Sequence, residues 1–315
     1  MKSFRPIHII ASSIVIICIV ITFFSTAPLD FPRGQIMVIK KASTVSQVAK
    51  ELTSLGIIRS PFLYKVYVSV FHGNKGVQAG TYLFDVPQTA IRLAYRTAYG
   101  VRGLEKIKIT IPEGSSSREM AAILAKKIPG FDGAVFHDSA HKKEGYLFPD
   151  TYFFDQSITP GEVIQTMTTV FNEKMATIKN KLATSTHSFK DIIIMASIVE
   201  EEENNSEDRR IIAGILWKRI AVGMPLQVDA PFYYLYGKGS SDISKEDLAA
   251  TSPYNTYKNK GLPIGPISNP GIDSILATLE YVQTPYWFYL GDKTGQTHYA
   301  VDHDDHVANK DRYLR

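Results

Sequence analysis

One long, uniformly apolar run opens the chain, and shorter apolar stripes recur at helix or strand spacing through the rest. From Ile7 to Ala27 it reads IHIIASSIVIICIVITFFSTA, with no Asp, Glu, Lys or Arg and with His8 as the one basic side chain. About 21 residues rising about 1.5 Å each span roughly 31 Å, the thickness of a bilayer core. The run predicts a single transmembrane helix at residues 7–27. A cleaved signal peptide competes with that reading, because Ser25-Thr26-Ala27 offers the small residues of a cleavage site. Pro28 directly after that site and the length of the run both disfavour cleavage. Lys2 and Arg5 precede the run, whereas Asp30 and a lone Arg33 follow it. The positive-inside bias then predicts a cytoplasmic tail at 1–6 and nearly all of the remaining protein on the opposite side of the membrane.

Beyond a linker at 28–35, Ile36 to Lys40 predicts a strand. Thr44 opens a helical pattern with Val45, Val48, Ala49 and Leu52 on one face, ending near Gly56. Ile57-Ile58, an aromatic-rich stretch from Phe62 to Phe71 and a short strand at Gly80 to Phe84 complete a small strand–helix–strand block. A weaker echo lies 72 residues further on: Ile39, Gln47, Val48, Ala49 and Leu52 correspond to Ile111, Glu119, Met120, Ala121 and Leu124. Two related modules and the general likeness of any two strand–helix units explain it equally well. From Glu144 the pattern breaks into loops rich in aromatic residues, proline and glycine. Ser188-Phe-Lys-Asp191 reads as a capping box that opens the helix DIIIMASIVEEE. A second helix runs from Ser206 to Val222, with Gly223 as its stop. The remainder reads as loops and short strands.

Composition narrows the classes. The 315 residues are 44% hydrophobic and 21% charged, which excludes a disordered chain. Lys+Arg 35 against Asp+Glu 31 leaves +4, too mild and too evenly spread for nucleic acid to be the main partner. The one cysteine, Cys18, falls in the apolar run, which excludes a disulfide framework and a multi-thiolate metal site. A thiol-free remainder suits an oxidising compartment.

The acidic run Glu200 to Glu203 is the strongest candidate for chemistry. It ends an apolar helix, where the negative end of the helix dipole disfavours more negative charge. Glu202 follows Met195, Ile198 and Val199 on an apolar stripe, while Glu200 follows Ile193 and Ala196, so periodicity does not choose between them. A carboxyl on a buried apolar face resists ionisation, as a general acid for glycosidic cleavage requires. No phosphate-cradling glycine loop, serine nucleophile elbow or histidine-pair metalloprotease motif is present. His298, Asp302, His303, Asp304, Asp305 and His306 are the one cluster with metal-ligand chemistry; their spacing suits a solvated loop better than a metal site, and no metal or other cofactor is expected. Asn204-Asn205-Ser206 matches a glycosylation sequon without further support. Tyr233, Tyr234, Tyr236, Tyr254, Tyr257, Tyr286, Trp287 and Tyr289 crowd the same region, most for packing and two or three for stacking on sugars.

EGYLFPDTY, MASIVEEE, LQVD, SPYNTY and GLPIGPISNPG occur in this order, and together they resemble the YceG-like family over nearly the whole chain. The resemblance implies an α+β architecture: a single N-terminal transmembrane helix, a small LysM-like subdomain at 36–98 and an α+β lytic transglycosylase domain at 99–315. It implies cleavage of nascent peptidoglycan glycan strands within the strand, beside membrane-bound peptidoglycan synthases, which terminates strand elongation. The family's catalytic glutamate, the second in its A-S-I-[IV]-E-x-E motif, falls on Glu202. Gln227, Asp229, Tyr254 and Asn255 match positions in the family's loop motifs and are expected in the substrate cleft, together with Glu144 of the first motif. Ala230-Pro231 stands where Pro-Thr is usual in the family, so the wall of the cleft after Asp229 is expected to differ in shape.

One dominant carboxylate suits a lytic transglycosylase. A glycosidase that adds water needs two carboxylates. Here the muramoyl C6 hydroxyl is an intramolecular nucleophile that leaves a 1,6-anhydro end. The competing expectations are a non-catalytic peptidoglycan-binding assembly protein, a metal-dependent hydrolase built on His298 to His306, and a two-carboxylate hydrolase.

Overall fold

A computed structural model describes residues 6–72 and 76–314. The cytoplasmic tail predicted from Lys2 and Arg5 lies outside the described residues, apart from Pro6. The chain has a mixed α+β fold in two compact units. The first runs to Lys106 and takes in Asp155–Ile158; the second holds Ile107–Phe154 and the chain from Thr159 onwards.

The first unit contains α1 (Pro6–Ser25), β1 (Gln35–Ile39), α2 (Val45–Ser54), α3 (Pro61–His72), β2 (Gly80–Phe84) and α4 (Ala90–Tyr99). Along α1 the apolar side chains from Ile10 to Phe24 are largely exposed. Among the described residues no helix is long and apolar enough to cross a membrane. Thr44 caps α2 in a reciprocal box with Gln47, and the stripe Val48, Ala49 and Leu52 is buried. That stripe packs with Ile57, Tyr64, Tyr82 and Phe84 in the core of this unit. β1 and β2 pair antiparallel from Gln35↔Phe84 to Ile39↔Gly80. The predicted strand–helix–strand block therefore has a second helix between its strands. In α3 the sequence PFLYKVYVSVFH is apolar on most sides, which hides its 3.6-residue period, and its start is marked by the Ser60 hydroxyl accepting from Leu63 N–H at 3.3 Å.

The second unit begins with all but the first residue of β3 (Lys106–Thr110), followed by α5 (Ser117–Lys127), α6 (Gly133–Ala140) and all but the last residue of β4 (Thr151–Asp155). β3 and β4 are paired. The order is the same strand–helix–helix–strand, and every element starts 71 or 72 residues after its counterpart: Gln35 to Lys106, Val45 to Ser117, Pro61 to Gly133, Gly80 to Thr151. The capping box recurs too, as Ser116 with Glu119, above a buried Met120, Ala121 and Leu124. The sequence echo is thus one edge of a whole repeated module.

Then follow α7 (Pro160–Thr177), α8 (Lys179–Thr184), α9 (Phe189–Glu202), α10 (Ser206–Ala221), α11 (Ala230–Tyr236), α12 (Lys245–Ala249), α13 (Ile272–Leu279), the antiparallel pair β5 (Phe288–Gly291) and β6 (Thr297–Ala300), and α14 (His303–Tyr313). α9 is the central rod. Ile194, Met195, Ile198 and Val199 pack with Ile212, Leu216 and Trp217 in one cluster. Ile192, Ile193 and Ala196 pack with Phe148, Phe171 and Ile275 in another. Burial on both flanks explains why this helix is apolar almost all round, and each fully buried aliphatic side chain contributes about 1.5–3 kcal/mol. At its start the Ser188 hydroxyl accepts from Asp191 N–H at 3.1 Å and donates to Asp191 Oδ2 at 2.7 Å, so hydroxyl and carboxylate bond each other.

Candidate active site

The four glutamates at the end of α9 separate into four environments. Glu200 is buried: its Oε1 accepts from Arg209 Nη2 at 2.6 Å and its Oε2 from Gly271 N–H at 2.8 Å. Arg209 also donates to Asp273 at 2.9 Å and to the Glu203 carbonyl at 2.7 Å. Glu200 thereby ties the end of α9 to the starts of α10 and α13. Glu203 accepts from Asn204 N–H at 2.7 Å, from Asn205 N–H at 3.0 Å and from the Thr297 hydroxyl. These donors hold its carboxyl below the usual range despite some burial. Two carboxyls remain for chemistry, Glu201 and Glu202.

Both line a cleft of about 820 Å³, together with Arg219, Gln227, Asp229 and Tyr289. The Tyr289 hydroxyl donates to Glu202 Oε2 at 2.9 Å. Burial, more than any neighbour, pushes the Glu202 carboxyl up to about 7; Asp229 and Glu201 push it the same way, while Tyr289 and the Arg219 guanidinium oppose them. Glu201, more exposed than Glu202, is also raised to about 7 by desolvation, with the Ser268 hydroxyl opposing and the charges of Glu119 and Glu200 adding. A carboxyl that keeps its proton near neutrality and faces an open cleft can donate it to a bound oxygen.

The strands and loops around Glu202 are fixed by Arg219, a buried guanidinium near the end of α10. It donates to the Trp287 carbonyl at 2.7 and 3.0 Å and to the Leu226 carbonyl at 2.5 Å. One side chain thus joins the β5 strand that bears Tyr289 to the loop that bears Gln227 and Asp229. Gln227 lies between buried Leu226 and Val228 with φ of 53°, a left-handed backbone that a non-glycine residue rarely adopts. That turn leaves its side chain exposed in the cleft. Asp229 Oδ1 accepts from the Tyr257 hydroxyl at 2.5 Å.

Of the residues expected from sequence, Glu202, Gln227 and Asp229 come together in this cleft. Tyr254, Asn255 and Glu144 do not line it. Asn255 is buried; its Nδ2 donates to the Leu248 and Ala250 carbonyls, both at 2.9 Å, and its Oδ1 accepts from Tyr257 N–H at 3.0 Å. Tyr254 packs against Tyr234, with ring centroids 5.5 Å apart. Glu144 is buried and accepts from Ser117 N–H at 2.9 Å, the Ser117 hydroxyl at 2.7 Å and Asn269 Nδ2 at 2.6 Å. Asn269 in turn donates to the Ser115 carbonyl at 3.0 Å and accepts from Leu147 N–H at 2.9 Å. Gly145 stands beside this junction because a Cβ there would meet Pro266 at 2.5 Å. EGYLFPDTY and ISNPG are therefore stitched together, and the latter docks on α9 through Ser197, whose hydroxyl accepts from Ile267 N–H at 3.1 Å.

Sequence reasoning gave Arg219 and Glu201 no separate role, and Tyr289 and Tyr257 only a place in a crowd of aromatics. A lone arginine between Lys218 and Ile220 offers no periodic signal, and Tyr289 is 87 residues from its partner. The histidines of the chain end are placed by their rings. His298 Nε2 lies 2.8 Å from Asp292 Oδ2, and its ring stacks on Tyr313 at 3.6 Å. His306 stacks on Phe288 at 5.1 Å in the cleft wall, and burial, then Lys310, lower it to about 4. Among the described residues no group of three or more His, Cys, Asp or Glu side chains could hold a metal ion.

Known proteins place this architecture. An endolytic murein transglycosylase of Bacillus subtilis is 29% identical over 317 residues, which cover 92% of this chain and 85% of the relative. An endolytic murein transglycosylase of Streptococcus pneumoniae is 33% identical over 175 residues, 54% of this chain and 32% of that longer relative. The crystal structure of a YceG-like protein from Listeria monocytogenes superposes with a TM-score of 0.59 at 26% identity, covering 87% of this chain and 99% of its own. The YceG-like family profile matches residues 37–312, so the chain belongs to the YceG-like family.

Proposed function

We propose that the chain is an endolytic peptidoglycan lytic transglycosylase with Glu202 as its single general acid and base. The observation that carries the reading is the Glu202 carboxyl, raised to about 7 and held by Tyr289 in an open cleft. Protonated Glu202 donates to the oxygen linking N-acetylmuramic acid to N-acetylglucosamine. The carboxylate so formed takes the proton of the muramoyl C6 hydroxyl, whose oxygen attacks C1 and closes a 1,6-anhydro ring. Proximity within one sugar replaces a second carboxylate. Glu201, raised like Glu202, is poorly suited to be the ionised partner of a hydrolase.

Asp229 in the same cleft supports a second reading, a two-carboxylate hydrolase. Mass spectrometry of the fragments released from purified sacculi separates the two. Anhydro-muropeptides support the transglycosylase, reducing ends support the hydrolase, and sacculus binding with no new ends supports a non-catalytic assembly protein.

The apolar run at 7–27 and the positive residues before it support a single-pass anchor in the bacterial cytoplasmic membrane, with the N-terminus in the cytoplasm. The strand–helix–helix–strand module around β1 and β2 supports a LysM-like glycan-binding role. An anchored enzyme reaches only strands close to the membrane, which supports work beside membrane-bound synthases and termination of elongating strands. Alkaline carbonate extraction tests the anchor: the full chain should stay in the pellet, and release into the supernatant would count against it.

A further inference from the structure

The cleft continues past Glu202. A second chamber of about 190 Å³ shares Glu201, Ala230 and Tyr233 with the larger one, and its far wall is Gly114, Ser116, Arg118 and Glu119. That wall is the loop before α5 and the first turn of α5, within the repeated strand–helix–helix–strand module. Tyr233 stands between the chambers with 51% of its surface exposed, and its hydroxyl donates to Glu119 Oε1 at 3.2 Å. An exposed ring anchored by its hydroxyl presents a fixed apolar face, the geometry on which a sugar ring stacks. Arg118 is exposed on the chamber rim, and among the described residues its guanidinium makes no hydrogen bond or ion pair. A free, planar guanidinium is suited to a carboxylate, which it binds bidentately.

Resting on the transglycosylase reading, we propose that this chamber is an additional glycan subsite: the Tyr233 ring carries the sugar next to those in the main cleft, and Arg118 pairs with a carboxylate borne by the lactyl or peptide substituent of that strand. The second module thereby serves as a strand-holding wall built into the catalytic unit. An enzyme that cuts within a strand must hold sugars on both sides of the scissile bond, and the chamber extends the path on one side.

The test compares native uncrosslinked strands, the same strands with their carboxylates converted to amides, and a tetrasaccharide fragment. Arg118→Ala should lower kcat/KM on native strands about tenfold through KM with kcat unchanged, and Arg118→Lys should recover part of the loss. On amidated strands and on the tetrasaccharide Arg118→Ala should match the wild type. In a Glu202→Gln background, Arg118→Ala should raise the Kd for native strands by a similar factor. Equal kcat/KM on native strands, or an equal loss on all three substrates, overturns the proposal. A wild-type protein that cuts none of the substrates overturns the transglycosylase reading instead, and the Kd comparison still decides the subsite.

Discussion

The Tyr289 hydroxyl donates to Glu202 Oε2 at 2.9 Å, so the last turn of α9 and the middle of β5 meet at one carboxyl. The bond favours the ionised form, because a carboxylate accepts more strongly than a carboxylic acid. Asp229 acts in the opposite direction through its charge. The carboxyl is thus set near 7 by burial and trimmed from both sides.

This balance predicts two opposite shifts of one pH profile. A general acid must be protonated, so kcat should fall as pH rises through about 7 in the wild type. Tyr289→Phe removes a lowering contact and should move that limb to higher pH. Asp229→Asn removes a raising charge and should move it lower. Profiles of anhydro-product release measure both, and a shift in the same direction for the two variants would contradict the assignment of the limb to Glu202.

Stability should change with pH as well. The folded carboxyl at Glu202 titrates above its ordinary value of 4.5, so its proton favours the folded state. Its stabilising contribution is complete below about 4.5 and is lost as pH rises through about 7. Glu202→Gln keeps the neutral form and should be more stable than the wild type by on the order of 2 kcal/mol above pH 7, discounted for the solvent that reaches this half-buried group. Near pH 4.5 the two proteins should have nearly the same stability. Urea titrations at the two pH values measure the gap.

Glu200, two residues away, should behave as a structural residue. Glu200→Ala leaves the buried Arg209 guanidinium with one carboxylate, Asp273, and removes the acceptor of Gly271 N–H. Breaking one partner of a buried pair costs about 3 kcal/mol. The melting temperature should drop by several degrees, while Glu203→Gln, at a less buried site, should cost less. Thermal unfolding of both variants checks the order.

Gln227 couples backbone strain to the cleft. Gln227→Gly relaxes the positive φ of 53° and should stabilise the fold by about 1 kcal/mol. It also removes a side chain that lines the cleft and should raise KM. A higher melting temperature with weaker substrate affinity is the expected pair of results.

Local signals were legible in the sequence where their cause is local. Thr44 and the Ser188/Asp191 pair marked two helix starts within a residue. Glycine at position 223 marked the end of α10. The helix α3 was hidden because aromatic and β-branched residues fill most of its faces, and α7, though opened by Thr159 with Glu162, carries threonines that blur its stripe. The glutamate run shows the limit most clearly. Glu200 and Glu202 both follow apolar residues, and only partners far along the chain distinguish them: Arg209 and the Gly271 amide for one, Tyr289 for the other. Likewise, Glu144 and Asn269 stand out in motifs, yet one of the bonds each makes is to the other, 125 residues away.

Digestion of purified sacculi by wild type and Glu202→Gln, with the fragments resolved by mass spectrometry, decides whether Glu202 moves the proton. The wild type should release fragments ending in 1,6-anhydro-N-acetylmuramic acid. Glu202→Gln should remain folded and still bind the sacculus, with release reduced at least a thousandfold, on the order expected for loss of a general acid. Anhydro fragments released by Glu202→Gln at the wild-type rate would contradict it.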